Sequence, residues 1–222
     1  MVNVKKSYPA PKCLAEEKKK KNGDYKCGNV LERLKNDFKN KCYICEYKCP
    51  STINVEHFVP HRGDKELKFD WVNLFWACGH CNNTKSDKYD NILNCTNSEH
   101  DLVNWIRYEM KPFPKEKVNI TALRDDEIVK NTAQLLDAVY NGTTPLKKME
   151  SSNIRKSVLD EIMKFQAILY EYCFEASHPE EKNECLKHLE RHLKTSSPFT
   201  SFKRWIIREN KELKKEFEQF FD

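Results

Sequence analysis

The sequence predicts an α+β chain in which a short strand-loop-strand-helix unit, framed by four cysteines, is embedded in a mainly α-helical body. Three observations carry this. Two Cys-x-x-Cys pairs, Cys42-Tyr43-Ile44-Cys45 and Cys78-Gly79-His80-Cys81, are separated by 32 residues. Between them lie two β-rich runs, Ile53 to His61 and Asp70 to Ala77, joined by a polar loop. Beyond about residue 98 the apolar residues recur at helical spacing instead.

Residues 1–41 read as a basic arm or helix, since they hold 11 Lys and 1 Arg against 5 acids, a charge of +7. The whole chain carries +5, so the other 181 residues sum to −2 and the positive field is concentrated in the arm. Lys18, Lys19, Lys20 and Lys21 form its densest run, placed to track phosphates. With 222 residues, 39% hydrophobic and 33% charged, the chain has the composition of an ordinary folded protein. No apolar run approaches the roughly 20 residues that cross a bilayer, and the N-terminus lacks the apolar core of a secretory signal. The expectation is a cytoplasmic protein with no membrane partner.

In such a chain the ten cysteines point to metal binding before disulfides. Each Cys-x-x-Cys turn can face two thiolates toward one ion, and two such turns complete a tetrahedral zinc site from Cys42, Cys45, Cys78 and Cys81. Cys49 and His80 are rival ligands at this level. Cys13, Cys27, Cys95, Cys173 and Cys185 read as free thiols in a reducing cell.

The unit spans residues 42–97. Its first strand ends on Glu56-His57, Asn73 falls near the start of the second, and a helix from Asn82 to Tyr89 follows the second cysteine pair. Three separate segments thus bring polar side chains to one point, as a catalytic site requires.

These residues resemble the HNH, or ββα-metal, nucleases, whose pattern is an acid-His pair, a central Asn and a final His or Asn. The match here is Glu56-His57, Asn73 and Asn82. A looser likeness covers most of the chain: EHFVPH, WVNLFWACGHCNNTK, VYNG and SPFTSFKRWIIR look like HNH proteins of Septu and retron-associated anti-phage systems. That resemblance implies a defence nuclease working beside an ATPase related to ABC and SMC proteins. The chain has no Gly-x-x-x-x-Gly-Lys loop and would have to recruit that partner. Two positions depart from the commoner pattern, Glu56 where many relatives have Asp and Asn82 where many have His, and both still offer oxygen ligands.

The chemistry suits these residue types. An imidazole with a pKa of about 6.5 is substantially neutral at cellular pH, so His57 can take a proton from an attacking water as general base. Glu56 and Asn82 supply oxygens for a hard ion such as Mg²⁺, with Mn²⁺ as substitute. Asn73 takes the family's structural role of tying the loop between the strands. His61, His80, Asp70 and Asp87 are second-rank candidates for a metal site, and Lys85 is placed to contact phosphate or to sit solvated on a helix face. Nucleic acid is the expected substrate, DNA ahead of RNA. The alternative is a noncatalytic zinc module that binds nucleic acid or adapts a protein partner.

Residues 98–222 read as a helical region suited to docking a partner. One stripe runs through Ile154, Val158, Ile162, Phe165, Leu169 and Tyr172, another through Leu186, Leu189 and Leu193. Asn141-Gly142 marks a turn between helices. Ser197-Pro198 reads as the cap and first residue of a last helix bearing Phe202, Ile206, Leu213, Phe217, Phe220 and Phe221. Those aromatics either dock a partner or close the core.

Overall fold

Antiparallel pairing of β1 (Ile53–His57) with β2 (Leu74–Cys78) forms the centre of the cysteine-framed unit, with Glu56 opposite Phe75 and His57 opposite Leu74. The structure is a computed structural model that describes every residue except 175 and 177. Two helices, α1 (Lys12–Lys19) and α2 (Val30–Asp37), precede the unit. Between the strands lies α3 (Lys65–Phe69), capped by the Asp64 carboxylate. The unit closes with α4 (Gly79–Lys85).

Two local features differ from the sequence reading. The Asp70 carboxylate accepts the Val72 backbone N–H at 2.9 Å, so Trp71–Asn73 form a 3-10 turn and β2 starts at Leu74. Helix α4 starts at Gly79, inside the second cysteine pair rather than at Asn82, and the chain there passes close to the residue before β1. A Cβ on Gly79 would lie 2.9 Å from Thr52 Oγ1.

The region after residue 98 is not wholly helical, which corrects that expectation. After the single turn α5 (Leu102–Trp105), β3 (Ile106–Lys111) and β4 (Lys117–Ala122) form an antiparallel hairpin. Ile106, Tyr108 and Val118 are buried from it, an alternation that is short and interrupted by charged residues. The expected helices follow as α6 (Glu127–Asn141) and α7 (Pro145–Cys173). Gly142 ends α6 at φ 73°, where a side chain would be strained, and Thr144 caps α7 with Pro145 as its first residue.

Then come α8 (Pro179–Leu193), α9 (Thr200–Arg208) and α10 (Lys211–Phe217). The expected single last helix is therefore two, since the Asn210 side chain accepts the backbone N–H groups of Glu212 and Leu213 and begins a new one. Nor do Ser197-Pro198 open α9, which begins two residues later after a left-handed Phe199.

One apolar core runs from Leu14, Val30, Leu34 and Phe38 of the arm through β2 to Leu135, Val139 and Tyr140 of α6 and Phe202 of α9. It is continuous across residues 41 and 97. A second cluster joins Phe165 and Leu169 to Leu189, Leu193, Ile207 and Phe217, with Phe220 and Phe221 packed against it. The terminal aromatics thus contribute to the interior.

Cys13 and Cys27 form a disulfide, which overturns their reading as free thiols and runs against the expectation of a reducing compartment. Among the described residues no helix is long and apolar enough to cross a membrane.

Candidate active site

Cys42 and Cys45 lie on a tight turn in which Glu46 N–H donates to Cys42 O at 2.9 Å, and Tyr43 N–H donates to Trp76 O at 3.0 Å, tying that turn to β2. Cys78 ends β2 and Cys81 lies in the first turn of α4. All four are buried, with their sulfurs within 4.8 Å of one another. Cys45 and Cys78 sulfurs are 3.9 Å apart, against about 3.8 Å for the edge of a tetrahedron with Zn–S bonds of 2.3 Å. The donor set and spacing fit zinc. Both rival ligands fall away: Cys49 is exposed and outside the cluster. His80 contacts Glu150 through Nδ1 at 2.7 Å and the Val139 carbonyl through Nε2 at 2.9 Å.

Across the unit an open cleft of about 670 Å³ is lined by Glu56, His57, His61, Arg62, Asn82 and Asn83. It brings together the acid-His pair at the end of β1 and the Asn at the middle of α4. Asn73 is buried behind it. Its amide accepts the Val59 N–H at 2.7 Å and donates to the carbonyls of Val59 and Leu67 at 2.9 and 3.0 Å. One side chain therefore holds both ends of the segment between the strands. Asp70 is spent on its turn, and Asp87 is exposed beside Ser86. Neither lines the cleft.

His57 Nε2 lies 3.0 Å from the Lys68 carbonyl oxygen, which can only accept, so Nε2 carries the proton. Nδ1 is then the basic nitrogen. The ring is held from the sides by Tyr25 and His61, with centroids 4.7 and 4.6 Å away. Burial lowers the His57 pKa below its ordinary value, against the Lys68 hydrogen bond that raises it, and the imidazole is neutral at pH 7.

Glu56 is 4% exposed and its Oε1 lies 2.8 Å from the Lys85 ammonium, which is fully buried. Lys85 is therefore neither a solvated helix residue nor a phosphate contact, and both readings of it are corrected. Its position in the last turn of α4 turns it inward, toward β1. The other carboxylate oxygen, Oε2, is buried without a hydrogen-bond partner. Burial pushes the Glu56 pKa up to about 7 against the pull of Lys85.

The lysine run straddles the end of α1. Lys18 pairs with Glu66 and Lys20 with Glu17 at 2.5 Å, while Lys19 and Lys21 are exposed. The arm packs on α3, and Lys68 Nζ donates to Gly23 O at 3.2 Å, so the arm borders the His57 side of the cleft. A larger cavity of about 860 Å³ lies under the N-terminal segment near Lys6, Lys41 and Glu46. Its buried charges are already partnered, which makes the smaller cleft the better candidate for chemistry.

Sequence reasoning did not find the partners that shape the site. Tyr25 is distant in sequence, the Lys68 contact is made by backbone, and the inward turn of Lys85 depends on the packing of α4 against β1.

A paired strand unit closed by a helix, with a four-cysteine cluster on one side and an acid-His-Asn cleft on the other, defines a ββα-metal finger. Residues 42–88 match the family model of the HNH endonucleases, so this stretch is an HNH domain. No curated protein and no solved structure matches the chain significantly.

Proposed function

We propose that the protein is a metal-dependent HNH endonuclease that hydrolyses phosphodiester bonds in nucleic acid, DNA ahead of RNA. The observation that carries this reading is the shared cleft: His57 with Nε2 pinned and Nδ1 basic, Glu56 with one unsatisfied oxygen, and Asn82 beside them. Glu56 Oε2 and the Asn82 amide oxygen are the donors for Mg²⁺ or Mn²⁺, an oxygen set that suits a hard ion. When bound, that ion polarises the scissile phosphate and offsets the charge that develops on it.

His57 Nδ1 takes the proton of the attacking water, and the Lys68 carbonyl stabilises the imidazolium that results through Nε2–H. Asn73 holds the intervening segment so that the ring stays aimed. Exposed Lys19 and Lys21 of the bordering arm meet the phosphate backbone, which positions the substrate without reading its bases. Cys42, Cys45, Cys78 and Cys81 would hold a zinc that ties the Cys42–Cys45 turn and the end of β2 to α4, the helix that carries Asn82.

The likeness of EHFVPH, WVNLFWACGHCNNTK and SPFTSFKRWIIR to Septu and retron-associated proteins supports a finer reading, in which this is a cytoplasmic anti-phage effector controlled by an ABC- or SMC-like ATPase. The Cys13–Cys27 disulfide is the observation against the compartment in that reading. Co-purification from the native operon tests the partner.

The nuclease reading is tested by incubating plasmid, linear duplex, single-stranded DNA and RNA with zinc-loaded protein and Mg²⁺ or Mn²⁺. The wild type cuts, and His57→Ala with full zinc content is slower by about 10²–10⁴-fold, the usual contribution of a positioned base. Equal cutting by His57→Ala, or none by partner-supplemented wild type, contradicts it.

A further inference from the structure

We infer that Lys85 is a positioning residue of the site: it engages one oxygen of Glu56 and thereby presents the other to the divalent cation beside Asn82. The inference rests on the nuclease reading above and goes beyond it, because it assigns a function to a residue that the reading leaves idle.

The first observation is cost. A lysine with no exposed side-chain surface has lost its hydration, and the interior rarely keeps such a group where an apolar side chain of similar volume would pack as well. The second is geometry. Lys85 Nζ lies 2.8 Å from Glu56 Oε1 and 3.4 Å from the His57 carbonyl oxygen, so one ammonium links α4 to both members of the acid-His pair. Helix α4 also carries Cys81 and Asn82. A tie from Lys85 to β1 therefore fixes the separation of Glu56 from Asn82 at the cleft end, while the cysteine cluster brings α4 together with the end of β2.

The third observation is what the pair leaves undone. Buried carboxylate oxygens are normally satisfied, yet Oε2 of Glu56 has no partner while Oε1 is occupied. At Glu46, by contrast, the chain's amino group and the Ser201 hydroxyl meet Oε1 and Lys41 meets Oε2, so both oxygens are engaged. At Glu56 the lysine takes one and leaves the other buried and unpaired, in a residue that lines the cleft together with Asn82. Lys85 acts through Glu56 and touches neither substrate nor metal.

The test is Mn²⁺ binding to the full-length, zinc-loaded protein, followed by electron paramagnetic resonance. Lys85→Met keeps the volume and removes the charge. Its Mn²⁺ affinity falls by about 10–100-fold, the range for loss of a group that orients a metal ligand, while zinc content and melting temperature show that it is folded. Lys85→Arg, which keeps a cationic donor, recovers most of that loss.

Mn²⁺ binding by folded Lys85→Met equal to wild type overturns the inference and leaves the nuclease reading standing. A wild type that takes up no second metal overturns both. Should Lys85→Met fail to fold, the wild type still decides the matter through nuclear magnetic resonance of ¹³Cε-labelled lysines. Mg²⁺ shifts the Lys85 signal and leaves that of Lys41, paired with Glu46, in place. An unmoved Lys85 signal overturns the inference.

Discussion

Glu46 and Glu56 are ten positions apart, both almost without exposed surface, and both paired with a buried lysine. Their surroundings differ in one respect. Around Glu46, Oε1 meets the chain's amino group at 2.9 Å and the Ser201 hydroxyl, while Oε2 meets Lys41 and the Ser201 backbone N–H, each at 3.3 Å. Around Glu56, Lys85 engages Oε1 and nothing engages Oε2. Although burial pushes Glu46 upward, the amino group, Lys41 and Ser201 hold its pKa well below the usual carboxylate range, whereas burial raises Glu56 to about 7. Burial alone therefore says little about what an acid does. The completeness of its hydrogen bonding separates a structural rivet, which ties α9 to the finger, from a candidate ligand.

The largest effect is expected where both acids lose their frame. Cys42→Ser or Cys78→Ser should remove the zinc and, with it, cooperative unfolding of the finger, seen as loss of bound metal and of a sharp thermal transition. Next, Glu46→Ala leaves a buried ammonium group unpaired and should cost about 3–5 kcal/mol in urea unfolding, without changing Mn²⁺ affinity of the folded protein. Glu56→Gln should abolish Mn²⁺ binding and cleavage at a smaller stability cost than Glu46→Ala, since the amide oxygen still accepts from Lys85 although the counter-charge is lost. If both variants lose stability alike, the comparison fails.

The pH dependence of stability, measured with zinc bound and no other divalent ion, sharpens the contrast because the two signs are opposite. Glu46 is depressed in the folded state, so its contribution is complete above the ordinary carboxylate pKa of 4.5 and is lost as pH falls from there toward its lower folded value. Glu56 is raised, so between 4.5 and about 7 the folded chain holds a proton that the unfolded chain has released. Stability therefore drops as pH rises through that window. Glu46→Gln should flatten the acid limb and Glu56→Gln the neutral one.

The smallest expected effect concerns His57. Burial lowers its pKa, so at saturating Mg²⁺ the acid limb of the cleavage rate should fall below the ordinary imidazole value of 6.5. A limb at or above 6.5 would contradict the assignment of His57 as base.

Much of the site could be read in the sequence because its signals are local. Two residues between paired cysteines, an acid beside a histidine, and the order of Asn73 and Asn82 all survive without knowledge of packing. The first strand and the long helix α7 were equally legible, since each has one dominant period. What was hidden depends on distant partners. Lys85 has the composition of a surface helix residue, and only the packing of α4 on β1 turns it inward. Cys13 and Cys27 carry no spacing signal, and the β3–β4 hairpin mixes its alternation with charged residues. The break before α10 turns on one Asn side chain that competes for backbone N–H groups.

Anomalous diffraction at the manganese edge, from crystals of zinc-loaded protein soaked in Mn²⁺, tests the central claim most directly. The account predicts one manganese peak within bonding distance of Glu56 Oε2 and the Asn82 amide oxygen, separate from the zinc held by Cys42, Cys45, Cys78 and Cys81, and none at Glu46. A manganese site that excludes Glu56, or no site in the cleft at all, would contradict it.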